Sequence, residues 1–126
     1  MSRTVNTDKA PAAIGPYSQG VVSGRMLFTS MQIALDPASG EMSGESTPVL
    51  AGRCLENIKA IVEAAGGSMN DIVKTTIYLA DITDFGAVNE VYAKFFAEKL
   101  PARGVIEASA LPKGALIAVE AIASIE

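Results

Sequence analysis

Two charged side chains near the end of the chain have the surroundings that chemistry needs. Arg103 opens the run "RGVIEASA", and Glu120 sits between Val119 and Ala121 in the otherwise apolar run "ALIAVEAIASI". A charge in such a run is costly unless a partner or a ligand meets it. A guanidinium presents planar donors that match two carboxylate oxygens, and a glutamate can take a proton from a water molecule. By strand alternation Arg103, Val105, Glu107 and Ser109 share one face. If the connection turns over Leu111 to Gly114, Glu120 faces Val105 and lies diagonal to Arg103, at roughly 7–8 Å. A shift of one residue would turn Glu120 to the other face. The pattern alone leaves two readings open: a strand-end Arg103 that is solvated or ion-paired with Glu120 or Glu107, or a carboxylate clamp beside a general base.

The other candidates carry weaker signals. The chain has no histidine and one cysteine, which excludes His-based triads and zinc held by His or thiolate clusters. Cys54 falls on the apolar stripe of a helix and reads as core packing. Tyr17 and Ser18 lie in the loop "PAAIGPYSQG", where two prolines and two glycines constrain the backbone. Ser30 closes a strand. Asn89 follows Val88 on a helix and faces solvent or the helix end. "AAGGSMND" stops a helix and lacks the Lys-Ser/Thr ending of a phosphate loop.

These residues must be positioned by a small set of elements. "VNT" is a short β-prone start; "VVSGRMLFTSMQI" reads as a hairpin of Val21-Val22 and Met26 to Ile33 around Ser23-Gly24. A first helix starts with Thr47 as cap and Pro48 in its first turn, buries Leu50, Cys54, Leu55, Ile58, Ile61, Val62 and Ala65, and ends at Gly66-Gly67. "DIVKTTIYLAD" is a strand with Val73, Thr75, Ile77 and Leu79 on one face and Ile72, Lys74, Thr76 and Tyr78 on the other. A second helix begins near Thr83 or Asp84, carries the stripe Phe85, Val88, Val91, Tyr92, Phe95 and Phe96, and cannot pass Pro101. The chain closes with a hairpin around "LPKGA". The order β-β-β-α-β-α-β-β predicts an α+β fold, a mixed sheet with both helices on one face.

Residues 1–126 suit one domain. Half the residues are hydrophobic (49%) and only 19% are charged, an apolar balance for a chain this short. No apolar run is long enough for a membrane helix, and the charge-free stretch Ala10 to Gly24 is broken by Pro11, Gly15, Pro16 and Gly20. The excess apolar surface, including the sheet face that the helices leave open, is expected to be buried between subunits. A net charge of −4 with scattered Lys and Arg gives no footprint for nucleic acid. The start "MSRTVNTDKAPA" lacks the apolar core of a signal peptide and one cysteine fits a reducing compartment; both favour the cytoplasm.

"APAAIGPYSQG", "LFTSMQI", "LENIKAIVEAAG", "DIVKTTIYLADITDF", "VNEVYAKFF" and "PARGVIEASALPKGALIAVEAIA" resemble the reactive intermediate deaminase A family (RidA, also called the YjgF type) along nearly the whole chain. The most specific parts are the "IGPYSQG" loop and the Pro-Ala-Arg strand followed by "LPK" and "EAIA". The resemblance implies a chorismate-mutase-like fold, a homotrimer with sheets packed inward, clefts between subunits, and no metal or organic cofactor. It implies hydrolysis of enamines and imines, such as 2-aminoacrylate from serine or threonine dehydration, to 2-oxo acids and ammonia. It assigns catalysis to Arg103 and Glu120 and substrate binding to Tyr17, Ser30, Met31, Val105 and Asn89. Two positions depart from the family pattern. Met31 stands where a glycine is common, adding bulk beside Ser30, and Val105 stands where a cysteine is common, leaving a backbone N–H as donor. A non-catalytic sensor of 2-oxo or amino acids is the alternative. Translation inhibition or ribonuclease activity, ascribed to some relatives, is opposed by the acidic charge and the missing histidine.

Overall fold

The computed structural model describes residues 2–126. Seven strands, β1 (Ser2–Val5), β2 (Gly20–Ser23), β3 (Met26–Thr29), β4 (Gln32–Ile33), β5 (Ile72–Leu79), β6 (Ala102–Glu107) and β7 (Ile117–Ser124), form one sheet with helices α1 (Thr47–Ala64) and α2 (Phe85–Phe95). The sheet order is β1-β2-β3-β7-β5-β6, with β4 also paired to β7. It is a mixed α+β sheet, as expected. Both helices cover one face, where Leu27, Leu55, Ile58, Ile61, Ile77 and Val119 form the core. Among the described residues no helix is long and apolar enough to cross a membrane.

The closing hairpin is a correction. β6 runs parallel to β5, and β7 pairs with β5 antiparallel on the other side, so β5 separates the two strands. A helical crossover through α2 makes β6 parallel to β5. β7 is buried along most of its length and takes the centre, whereas β6, with Arg103 and Glu107 exposed, is left at the edge. Glu120 pairs with Thr76 and Thr76 with Gly104, while Arg103 pairs with Thr75. The two charged residues therefore project from opposite faces of the sheet, and Glu120 is not diagonal to Arg103.

Smaller corrections have local causes. β1 ends at Val5 rather than continuing through Asn6 and Thr7, because buried Gln19 takes that segment. Its Oε1 accepts from Thr7 N–H at 2.7 Å, and its Nε2 donates to the carbonyls of Thr7 and Pro11 at 3.0 and 2.8 Å. The predicted strand Met26 to Ile33 breaks at Ser30-Met31. Phe28 pairs with Ile122 and Gln32 with Val119, so three residues oppose two, and such an irregularity re-aims side chains. Along β5 the register shifts between Ile72 and Lys74. The extra residue, Val73, is exposed and Ile72 is buried with Thr75, inverting the predicted alternation at that end. Ser46, not Thr47, is the N-cap residue of α1; the Thr47 hydroxyl instead donates to Asp84 Oδ2 at 2.8 Å, tying α1 to the start of α2.

The predicted apolar stripe of α1 is buried throughout. Cys54 lies in it, and burial pushes its thiol up to about 12, which leaves no thiolate for chemistry. Gly66 ends α1 in the left-handed region at φ +98, a conformation that favours glycine. A Cβ on Gly67 would come within 2.6 Å of Ile125 Cγ2.

Candidate active site

The seven predicted site residues occupy separate places within one chain. At the β6 edge, Arg103 donates from Nη1 to Asn89 Oδ1 at 2.7 Å. Its guanidinium carbon lies 4.9 Å from the centre of the Tyr92 ring and 5.1 Å from that of Phe85, distances at which the ring quadrupole attracts a cation. Tyr92 is itself fixed, since its hydroxyl shares a 2.7 Å hydrogen bond with the buried Thr75 hydroxyl. Burial raises the Tyr92 phenol above the ordinary tyrosine value, against the pull of the Thr75 bond and the Arg103 charge. Among the described residues no carboxylate comes within 4 Å of Arg103; the one ion pair joins Arg25 to Glu126. Arg103 is thus oriented by α2 and keeps donors for a ligand.

Backbone geometry adds a donor beside it. The N–H of Ala108 donates to the Leu79 carbonyl, so alternation points the backbone groups of Gly104 and Ile106 at β5. Those of Arg103 and Val105 point outward along the free edge. Val105 itself is half-buried against the core.

Tyr17, Ser30 and Met31 line a different feature, an apolar cavity of about 420 Å³ shared with Ile14, Leu35 and Pro112. The Gln19 clamp holds the loop that carries Tyr17, whose hydroxyl oxygen accepts from Ile14 N–H at 3.3 Å. Ser30 is anchored at both ends: its N–H donates to the Gln19 carbonyl and its hydroxyl to the Ser18 carbonyl at 2.5 Å. Met31 is 39% exposed, so its thioether faces the cavity rather than the core.

Glu120 projects from the sheet face opposite the helices, into a shallow recess with Phe28, Thr29, Lys74 and Thr76. Its Oε1 accepts from the Tyr78 hydroxyl at 2.9 Å. Tyr78 was legible only as a member of the strand face it shares with Ile72, Lys74 and Thr76; its meeting with Glu120 needs the β5–β7 register, in which Tyr78 opposes Ala118 and Thr76 opposes Glu120. Phe85 and Tyr92 were legible as helix stripe, and their role as a shelf for Arg103 was missed for the same reason. Among the described residues no group of three His, Cys, Asp or Glu side chains gathers to hold a metal ion.

A family model described as Endoribonuclease L-PSP, the YjgF/RidA group, matches residues 7–125. The chain belongs to the YjgF/RidA family. Within that family it is 51% identical to a Salmonella typhimurium protein named 2-iminobutanoate/2-iminopropanoate deaminase, over 98% of each chain. The crystal structure of the YjgF gene product from Escherichia coli superposes with a TM-score of 0.94 at 47% identity, covering 98% of this chain and 99% of that one. Escherichia coli TdcF, solved with bound serine, gives the same TM-score at 44% identity, with 98% and 99% covered. The YjgF/RidA fold therefore holds with Met31 and Val105 in place.

Proposed function

We propose that this protein is a cofactor-independent imine deaminase that hydrolyses small 2-imino acids, and their enamine tautomers, to 2-oxo acids and ammonia. The observation that carries the reading is Arg103: a guanidinium oriented by Phe85, Tyr92 and Asn89, without a carboxylate partner among the described residues. The deaminase name of the Salmonella relative and the serine held by TdcF support a ligand with an α-carboxylate.

Arg103 and the outward N–H of Val105 bind the substrate carboxylate and fix the C=N carbon. Water adds to that carbon of the protonated imine, the iminium form, while Glu120 takes its proton, giving a neutral carbinolamine. Glu120 then returns the proton to nitrogen as the C–N bond breaks, the hydroxyl proton leaves to solvent, and ammonia departs from the 2-oxo acid. Tyr17 and Ser30 flank the nitrogen, and Asn89 steadies the clamp. Positioning with one general base supplies on the order of 10²–10⁴-fold, enough for a bond that water already attacks.

Arg103 and Glu120 project from opposite faces of one sheet, so a shared substrate requires two copies. The open face also calls for a partner: Phe28 and Ile106 are 46% and 51% exposed on it, beside Val21 and Ile122. We assign the functional unit to a homotrimer with clefts between copies. Light scattering at micromolar concentration is expected to report about three chains; a monomer active in the imine assay would overturn the shared cleft.

The deciding experiment generates 2-aminoacrylate with a serine dehydratase in the presence of semicarbazide. Faster pyruvate release with this protein than with buffer establishes turnover, and an unchanged rate together with ligand binding makes it a sensor instead. The family model's name refers to an endoribonuclease, but a net charge of −4 and no histidine oppose phosphodiester cleavage.

Met31 is the proposed size gate of the cleft. Because its side chain lines the cavity next to Ser30, Met31→Gly is expected to raise turnover of 2-imino acids derived from leucine or methionine about tenfold, relative to 2-aminoacrylate, as one or two methylenes of space are worth. Turnover across imines of increasing side-chain size checks this. An unchanged profile with a lowered melting temperature would assign Met31 to packing alone.

A further inference from the structure

We propose that Tyr78 is the positioning residue for Glu120: its hydroxyl holds one carboxylate oxygen so that the other faces the attacking water. This rests on the reading of Glu120 as general base. The supporting geometry is local and specific. Tyr78 and Glu120 sit on adjacent strands at diagonal register positions, on the sheet face opposite the helices, and the hydroxyl donates to Oε1 at 2.9 Å. No hydrogen bond engages Oε2 among the described residues. Tyr78 is anchored from beneath, where its ring packs against the small apolar cluster of Ile33, Leu35, Ala115 and Ala118. An anchored donor on one oxygen restricts a glutamate that would otherwise rotate about its terminal bond.

The donor must stay protonated to do this. Its hydrogen bond to Glu120 is the largest cause, followed by burial and the glutamate's charge, that raises the Tyr78 phenol above the ordinary tyrosine value. The other charged group facing the recess, Lys74 on β5, makes no ion pair with Glu120, and β3 and β6 present no titratable side chain to it. Tyr78 is thus the single side chain seen to orient the carboxylate.

Tyr78→Phe removes the hydroxyl and keeps the ring and its packing. Its kcat for 2-aminoacrylate hydrolysis is expected to fall about tenfold, a part of the roughly 10²–10⁴-fold that a positioned base contributes, with KM and melting temperature unchanged. A purely structural role for this hydrogen bond would lower the melting temperature and leave kcat per folded protein alone. A double-mutant cycle makes the assignment specific: in the Glu120→Gln background, assayed at enzyme concentrations high enough to read the residual rate, Tyr78→Phe is expected to have no further effect. An undiminished effect in that background, an unchanged kcat in the single variant, or a loss confined to KM would overturn the assignment. Full activity in Glu120→Gln alone would remove the general base itself, a distinct failure that takes this role for Tyr78 with it.

Discussion

Arg103→Ala is expected to lose turnover of 2-imino acids by about ten- to a hundredfold or more, since a charge-assisted bond is worth on the order of 1.5–3 kcal/mol. The fold is expected to survive. Arg103 is exposed at a sheet edge and has no ion-pair partner among the described residues, so its removal strands no buried charge. The loss should appear chiefly as weaker substrate binding, because the carboxylate is present in both ground and transition states. Arg103→Lys is expected to be nearly as poor. An ammonium cannot present two parallel donors to a carboxylate, and it stacks less well between Phe85 and Tyr92. Pyruvate release from 2-aminoacrylate, read beside thermal melting, separates loss of function from loss of fold. Near wild-type activity in Arg103→Ala would end the clamp role.

Glu120→Gln should have the larger effect on kcat, a loss of about 10²–10⁴-fold. The amide keeps the shape of the side chain, and its carbonyl oxygen still accepts from Tyr78, so the recess is preserved. It cannot take a proton from water. KM and the melting temperature are expected to stay near wild type, since Glu120 is in no ion pair among the described residues. The competing role, a structural partner for Arg103, is already excluded within one chain by the opposite faces of the two residues. If the glutamate served instead to hold neighbouring copies together, Glu120→Gln would dissociate the assembly and retain its rate per assembled unit. Light scattering of the variant therefore accompanies its turnover assay.

Both effects depend on two places that a single chain keeps apart, which is why oligomeric state and activity are expected to move together. A variant that disrupts the open sheet face without touching Arg103 or Glu120 should lose activity with association. The aromatic shelf under Arg103 and the Tyr78 hydroxyl on Glu120 lie in separate parts of the chain, so each of the two charged side chains has its own support.

Much was legible before any coordinates, and the reason is local physics. The α1 stripe, the Gly66-Gly67 stop, the β5 run and the α2 stripe are written in periodicities that neighbouring residues impose on one another. The absence of histidine and the isolation of Arg103 and Glu120 in apolar runs pointed to carboxylate and guanidinium chemistry by residue type alone. Pairing was decided elsewhere. β6 and β7 are adjacent in sequence and read as a hairpin, but β5 lies between them, because the helical crossover sets β6 parallel to β5 and the more apolar β7 claims the centre of the sheet. That choice turned Glu120 away from Arg103 and toward Tyr78, and it set Arg103 over Phe85 and Tyr92. Strand order is a competition among all strands for burial, and no window of one strand records its outcome. Residue types therefore pointed to the chemistry, while the tertiary structure decided which side chains meet and left Arg103 and Glu120 on opposite faces of one sheet.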